Sequence, residues 1–344
     1  MTSGDTPDEP MLLDRAKRGD PDAFQRLAEP YRRELLSHCY RMMGSLQEAE
    51  DLVQETFLRL WRGLDGFEER SSFRNWLHRI ATNACLNALA GRKTASRVLP
   101  EALSQPWDRM PEGGPATEIA WLEPYPDAAF ENVADTAPGP ETRYEMRESM
   151  QLAFIAAIQT LPPRQRAVLL LRDVLGWSAA DIGILLETSV ASANSALQRG
   201  RATLEKQFPN GRPGIQPKPD NRQRILLERY IKAWEASNLD GFVALLKEEA
   251  VYSMPPWREW YLGRGQIRSF FGEAWGHYRS FRMVSTGANG QPAFALYACA
   301  RGGDEWKAHS IQVLTLDDDA IASLTGFRYP KLFAAFGLPA TMPA

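Results

Sequence analysis

Between Glu48 and Trp61 the apolar residues Leu52, Val53, Phe57, Leu58, Leu60 and Trp61 recur every three to four positions, with Glu48, Glu50, Asp51 and Glu55 among them. That is the period of an amphipathic helix with one acidic face. The same period runs through most of residues 10–97. Start signals stand at Asp20-Pro21 and Ser45, where a side-chain oxygen can take the first free amides, and a break is expected around Asp65-Gly66. The pattern predicts a compact helical domain. A second helical block covers 142–208, with Leu161-Pro162-Pro163 separating one amphipathic helix from the next. Within it, SAADIGILLETSVASANSALQRGRATLEK carries two short helical patterns joined at Thr188-Ser189, the arrangement of a helix-turn-helix.

The pattern breaks at residues 98–141. Pro100, Pro106, Pro111, Gly113, Gly114, Pro115, Pro124, Pro126, Pro138 and Pro140 leave no room for a continuous helix. Residues 209–222 form a second linker, with four prolines and two glycines in PNGRPGIQPKPD. After it the composition turns aromatic, with Tyr230, Trp234, Tyr252, Trp257, Trp260, Tyr261, Trp275, Tyr278, Tyr297, Trp306 and Tyr329. Two helical stretches, 222–236 and 239–248, precede strand-like runs at 250–254, 281–288, 293–301, 307–316 and 321–327. Helices followed by an antiparallel sheet predict an α+β domain over 223–338.

Charge sharpens this division. The net charge of -3 argues against a uniformly basic coat. Locally, however, Ser71 to Pro100 holds five basic residues and no acidic one, interleaved with Phe73, Trp76 and His78, a surface suited to unstacked nucleic acid. From Glu112 to Glu145 eight acidic residues face the single basic Arg143. Within that acidic linker WLEPYPDAAF is apolar enough that Trp121, Tyr125 and Phe130 are expected either to dock on a partner or the third domain, or to cluster locally in a spacer. Cys39, Cys85 and Cys299 stand too far apart for a zinc or dithiol motif, and neither a metal nor a cofactor is expected. No apolar run approaches the roughly 20 residues that span a bilayer, and MTSGDTPDEP is polar, so a reducing cytoplasm without membrane contact is expected.

The order of blocks resembles the bacterial RNA polymerase sigma factors of the extracytoplasmic-function type. DAFQRLAEPYRRELLSHCYRMMGSLQEAEDLVQETFLRLW followed by FRNWLHRIATNACLNALAGRK looks like their region two. LPPRQRAVLLLRDVLGWSAADIGILL and the helix after it look like region four. The resemblance implies that Asp51, Gln54 and Glu55 dock on the clamp coiled coil of core polymerase, and that region four reaches the flap. It implies that Asn83 faces a flipped base of the minus-ten element, with Trp76 and Asn87 nearby and Arg74, Arg79, Arg92 and Lys93 on phosphates. For the minus-thirty-five element, Ser192, Asn194, Ser195 and Gln198 are the hydrogen-bonding candidates, with Arg199 and Arg201 on phosphates. Basic residues usual in the recognition helix are replaced here by Asn194 and Ala196, which implies weaker minus-thirty-five binding. In the family the acidic linker threads from the active-site cleft through the RNA exit path.

The third domain resembles the SnoaL-like members of a cone-shaped α+β superfamily that includes ketosteroid isomerases. The implied fold is therefore multidomain: two all-α sigma domains followed by an α+β cone. Tyr230, Trp234, Tyr252, His277 and His309 are candidates to line a pocket in the cone, with a small-molecule ligand or an intramolecular contact as its occupant. The function implied is a non-enzymatic alternative sigma factor that binds core polymerase, recognises both promoter elements and is regulated in cis by its third domain. Two rivals stand beside it: a ligand-sensing helix-turn-helix regulator acting without polymerase, and an isomerase or cyclase fused to a DNA-binding arm.

Overall fold

A computed structural model of the chain describes residues 9–69, 71–92, 96–129, 148–208 and 219–343. It falls into two compact units, one made of residues 1–96 and 129–213, the other of 97–128 and 214–344. The first part of the acidic linker thus belongs with the C-terminal domain.

The first unit is helical. α1 (Glu9–Lys17), α2 (Pro21–Ala28), α3 (Arg32–Met43), α4 (Leu46–Gly63) and α5 (Phe73–Ala90) form its N-terminal part. Both expected start signals act as caps: the Asp20 carboxylate accepts from the amides of Asp22 and Ala23, and the Ser45 hydroxyl from that of Glu48. α3, α4 and α5 pack together, burying Leu35, Cys39, Met42, Val53, Leu60, Leu77, Ala81 and Cys85. The expected break takes the form of a short 3-10 turn at Leu64–Gly66.

The C-terminal part of this unit comprises α6 (Leu152–Gln159), α7 (Pro163–Leu169), which runs on into a π turn at Leu170–Val174, α8 (Ala179–Leu185) and α9 (Val190–Gln207). The tight turn between α8 and α9 requires Gly183. A Cβ there would lie 2.9 Å from the carbonyl oxygen of Thr188, whose own amide donates to Gly183 O. Glu187 takes the left-handed conformation, φ 51°, that closes the corner.

The second unit contains α10 (Asn221–Glu235), α11 (Leu239–Val243), α12 (Arg264–Ala274), α13 (Leu332–Ala335) and one sheet. Its strands are β1 (Leu246–Ser253), β2 (Trp260–Leu262), β3 (Tyr278–Ala288), β4 (Gln291–Ala300), β5 (Glu305–Asp317), β6 (Ala320–Phe327) and β7 (Thr341–Pro343). They lie in the order β2-β1-β6-β5-β4-β3, with β7 on β5. All pairs are antiparallel except β1 with β6. The expected helix over 239–248 ends at Val243 instead, because Leu246 pairs with Ile321 and β1 begins there. Lys247, Glu248 and Glu249 favour a helix locally, and sheet pairing overrides that preference. The three-residue strands β2 and β7 are too short to leave a periodic signal.

One face of the sheet, together with α10, α11 and α12, encloses a core of Tyr230, Trp234, Phe242, Tyr252, Phe270, Phe271, Trp275, Phe281 and Phe294. The opposite face is buried too: Tyr297, which alternates away from Leu296 and Ala298, packs edge-on against Phe333 of α13. The linker is bound to the same domain. Trp107 N donates to Trp260 O at 2.7 Å, Ala116 N to Pro256 O at 2.8 Å, and Tyr261 Oη to Arg109 O at 3.0 Å. At the β3–β4 hairpin, Asn289 Oδ1 accepts from Tyr125 N while Asn289 N donates to Tyr125 O, both at 2.9 Å. Asp127 Oδ1 accepts from Gly290 N at 2.7 Å. Trp121 and Tyr125 are buried in this unit, whereas Phe130 lies outside the described residues.

Candidate nucleic-acid interface

α5 is divided lengthwise by burial. Phe73, Leu77, His78, Ala81, Thr82, Ala84, Cys85 and Leu89 face the core, so the helical period leaves Trp76, Arg79, Ile80, Asn83 and Asn87 on an outward stripe. Asn83 is half-buried and Asn87 exposed, four residues apart and therefore neighbours. Their amides offer both donors and acceptors to a base edge. Trp76 is half-buried and stacks on Phe67 with ring centroids 4.7 Å apart, so one of its faces is occupied within the fold.

The arginines divide into two kinds. Arg79 is exposed. Arg74 and Arg92 are instead tied by carboxylates: Arg74 Nε donates to Glu34 Oε2 at 3.1 Å, and Arg92 approaches both Glu48 oxygens at 2.9 and 3.0 Å. These pairs join α5 to α3, and the turn after α5 to α4. His78 Nε2 also meets Glu34 Oε1, at 3.0 Å. Burial would raise the Glu34 carboxyl, but His78 and Arg74 overcome it and hold the group well below the usual carboxylate range. Lys93 lies outside the described residues.

α4 presents Asp51, Gln54, Leu58 and Trp61 along one exposed edge, with Leu58 53% and Trp61 38% accessible. Glu55 is half-buried and paired with Arg59 at 2.8 Å. Acidic groups beside an uncovered apolar ridge suit a helical partner with basic flanks. On α9, Ala193, Leu197, Gly200 and Leu204 are buried, so Ser192, Asn194, Ser195, Gln198, Arg199 and Arg201 all emerge on the exposed side. Gly200 permits close approach to α7: a Cβ there would meet Leu169 at 3.5 Å. Arg201 is paired with Asp173, its Nε donating to Oδ2 at 3.1 Å.

Comparison with known proteins decides what carries these surfaces. Residues 27–94 match sigma-70 region 2, residues 151–204 match sigma-70 region 4, and residues 227–324 match the SnoaL-like domain. The ECF RNA polymerase sigma factor SigG of Mycobacterium tuberculosis is 45% identical over 326 residues, 94% of this chain and 85% of that protein. The chain belongs to the extracytoplasmic-function RNA polymerase sigma factors. The family's SigW of Bacillus subtilis is 28% identical over 57% of this chain and 94% of its own length. The crystal structure of the extracytoplasmic-function sigma factor SigJ of M. tuberculosis shares the fold, with a TM-score of 0.59 and 20% identity over 91% of this chain and 98% of that one.

In this sigma factor the five pocket candidates of the third domain do not converge. Tyr230, Trp234 and Tyr252 sit in the packed aromatic core, where the Tyr230 hydroxyl donates to Gln312 Oε1 at 2.7 Å and Trp234 contacts Phe242, Phe271, Trp275 and Phe281. Their inward positions follow from the helical period of α10 and the alternation of β1. His277 is exposed on the turn after α12. His309 lines a recess of about 250 Å³ shared with Tyr278, Ala298, Asp304, Glu305 and Lys307. Tyr278, in edge contact with the His309 ring at 5.5 Å, was not a sequence candidate; its register beside Ala300 places it there.

Burial, with a smaller contribution from Arg328, pushes the His309 imidazole down to about 3. A histidine kept neutral when folded binds its proton only after unfolding, so acid favours the unfolded chain between the ordinary value near 6.5 and 3. The urea midpoint of the C-terminal domain is expected to fall as pH drops from 6.5 to 4, and His309→Gln to flatten that slope. An unchanged slope in the variant excludes His309 as its origin.

Among the described residues, no helix is long and apolar enough to cross a membrane, and no group of three or more His, Cys, Asp or Glu residues is placed to hold a metal ion.

Proposed function

We propose that this sigma factor binds core RNA polymerase through the exposed edge of α4, with Asp51, Gln54 and Glu55 on the clamp coiled coil and region four on the flap. It then directs the enzyme to promoters in the cytoplasm. α9 contacts the minus-thirty-five duplex through Ser192, Asn194, Ser195 and Gln198, with Arg199 and Arg201 at phosphates. α5 holds the melted minus-ten strand, with Asn83 on the flipped base, Asn87 and Trp76 beside it, and Arg79, Lys93, Arg74 and Arg92 along the backbone. The last two reach phosphates only by leaving Glu34 and Glu48. The observation that carries this reading is the lengthwise division of α5 and α9 into a buried and an outward stripe, the outward one carrying the amide and hydroxyl side chains.

The third domain acts as a regulator in cis by holding the linker, and not as an isomerase. A cyclase needs a base and an oxyanion donor facing one cavity, whereas rings fill the interior of this cone. A linker bonded to Trp260, Pro256 and Asn289 cannot at the same moment follow the path through polymerase that the family's linkers take.

Run-off transcription with purified core polymerase tests the reading, since a helix-turn-helix regulator that works without polymerase confers no specific initiation. Asn83→Ala is expected to retain association with core in a pull-down and to lose at least about tenfold in permanganate reactivity of the minus-ten thymines, the scale of one lost base contact. Joint replacement of Asp51 and Gln54 by alanine is expected to weaken association itself. Normal opening by the first variant, or normal association by the second, removes the corresponding assignment.

A further inference from the structure

The ladder of the sheet carries a bulge on each side of β4. Between β4 and β5, Tyr297 pairs with Ala308 and Leu296 with Ser310, so His309 is an extra residue on β5. Between β3 and β4, Tyr278 pairs with Ala300 and Ser280 with Cys299, so Arg279 is an extra residue on β3. A bulge re-aims the side chains beside it. Here the two irregularities bring His309 and Tyr278 into edge contact at the recess by the β4–β5 hairpin. The hairpin is set by Gly302, at φ 82°, and by the Gly303 amide, which donates to Ala300 O at 3.0 Å. Asp304 and Glu305, the next two residues, join the lining of the recess.

Two polar atoms there have no hydrogen-bond partner among the described residues. His309 engages Ser310 Oγ through Nδ1, at 3.2 Å, which leaves Nε2, and the Tyr278 hydroxyl makes no bond. Neither atom is sealed from solvent. Glu305 holds Lys307 at 3.2 Å, whereas the exposed Asp304 makes no ion pair among the described residues. The lining therefore carries one uncompensated carboxylate. Arg328, which helps to keep His309 neutral, stacks on Trp257 at 4.4 Å.

These groups select a ligand by charge. A histidine that stays neutral at pH 7 offers no positive charge to an anion, and a free carboxylate repels one. With its Nδ1–H on Ser310 Oγ, the imidazole presents a lone pair at Nε2, and the Tyr278 oxygen presents another. Two lone pairs, a carboxylate and an aromatic wall match the three N–H bonds of a primary ammonium. Ala298, Ala300 and Ala308 make the rest of the lining apolar, as a hydrocarbon group requires. A volume of about 250 Å³ equals that of about eight waters in the liquid, which limits the ligand to about that many non-hydrogen atoms.

We infer that this recess binds a small primary organic ammonium, its nitrogen held by Asp304, His309 Nε2 and Tyr278 Oη and its hydrocarbon part on the three alanines. The probe is benzylamine, a cation at pH 7, compared with benzyl alcohol and benzoate by methyl NMR of the full-length chain labelled with carbon-13 at its alanines. Benzylammonium is expected to shift the signals of Ala298, Ala300 and Ala308 saturably. Benzyl alcohol is expected to bind about fivefold more weakly, the upper scale of a solvent-exposed charge contact, and benzoate not to bind. Asp304→Asn is expected to abolish the preference for the ammonium over the alcohol. Ala300→Leu fills the recess and is expected to abolish the shifts at Ala298 and Ala308, while the other alanine signals report whether the variant is folded. Equal affinity for alcohol and ammonium in the wild type overturns the inference, as does a preference that survives Asp304→Asn. Wild-type shifts in a folded Ala300→Leu protein, or shifts that never saturate, overturn it too. If Ala300→Leu does not fold, the comparison with Asp304→Asn decides alone.

Discussion

Glu34→Ala is expected to lower the unfolding free energy of the helical unit by about 3 kcal/mol, the range for removing one partner of a buried charge cluster. The carboxylate side chain is 15% exposed and receives Arg74 and His78 together, so its loss leaves two donors facing each other without an acceptor. Glu34→Gln keeps an oxygen but not the charge, and is expected to fall between. The pH dependence has a definite sign. A carboxyl held below its ordinary value gives stability that is present above about 4.5 and lost as pH falls toward the folded-state value. Urea titrations from pH 7 to 3 should therefore show an acid loss in the wild type that Glu34→Ala does not share. If the variant matches the wild type in midpoint at pH 7, the cluster contributes nothing.

This cluster also marks where sequence reading reached its limit. The helical period placed α4, α5 and α9 and identified their outward faces, because burial of one stripe dictates where the other points. Region two, region four and the SnoaL-like domain were legible for the same reason, each being a run of local pattern. The carboxylates that hold Arg74 and Arg92 were not. A basic residue facing out on an isolated helix reads as a phosphate contact, and only tertiary packing brings Glu34, 40 positions away, and Glu48, 44 positions away, beside them. The pocket candidates were ambiguous in the same way: aromatic and histidine residues near one another in an α+β pattern give no sign of which fill the core. The linker was half legible. The apolar Trp121 and Tyr125 among acids left docking and local clustering equally open, because nothing local in 98–128 refers to Asn289 or Trp260. Asn289-Gly290 is itself a strong hairpin signal, since both residues adopt positive φ, 58° and 68°. Its second use, as the acceptor for a segment 164 positions upstream, leaves no mark in the pattern.

That double use makes Asn289 the position where linker and sheet can be separated by experiment. Replacing it removes the acceptor of a buried amide, Tyr125 N, at about 1–3 kcal/mol, or roughly fivefold to 150-fold in the population of released linker. Asn289→Gly keeps the left-handed turn, whereas Asn289→Ala adds about 1 kcal/mol of backbone strain that falls on the β3–β4 hairpin. Both variants should therefore expose Tyr125 to chymotrypsin about equally in the full-length chain, and only the alanine should also lower the melting temperature of the C-terminal domain. Equal protection of Tyr125 in wild type and glycine variant shows that the bond does not hold the linker. The glycine variant then asks the functional question with the domain intact. If the third domain restrains the sigma factor by keeping the linker, polymerase-directed transcription changes in step with Tyr125 exposure. If exposure rises and transcription does not move, the held linker is a structural strap and the third domain does not restrain the sigma factor through it.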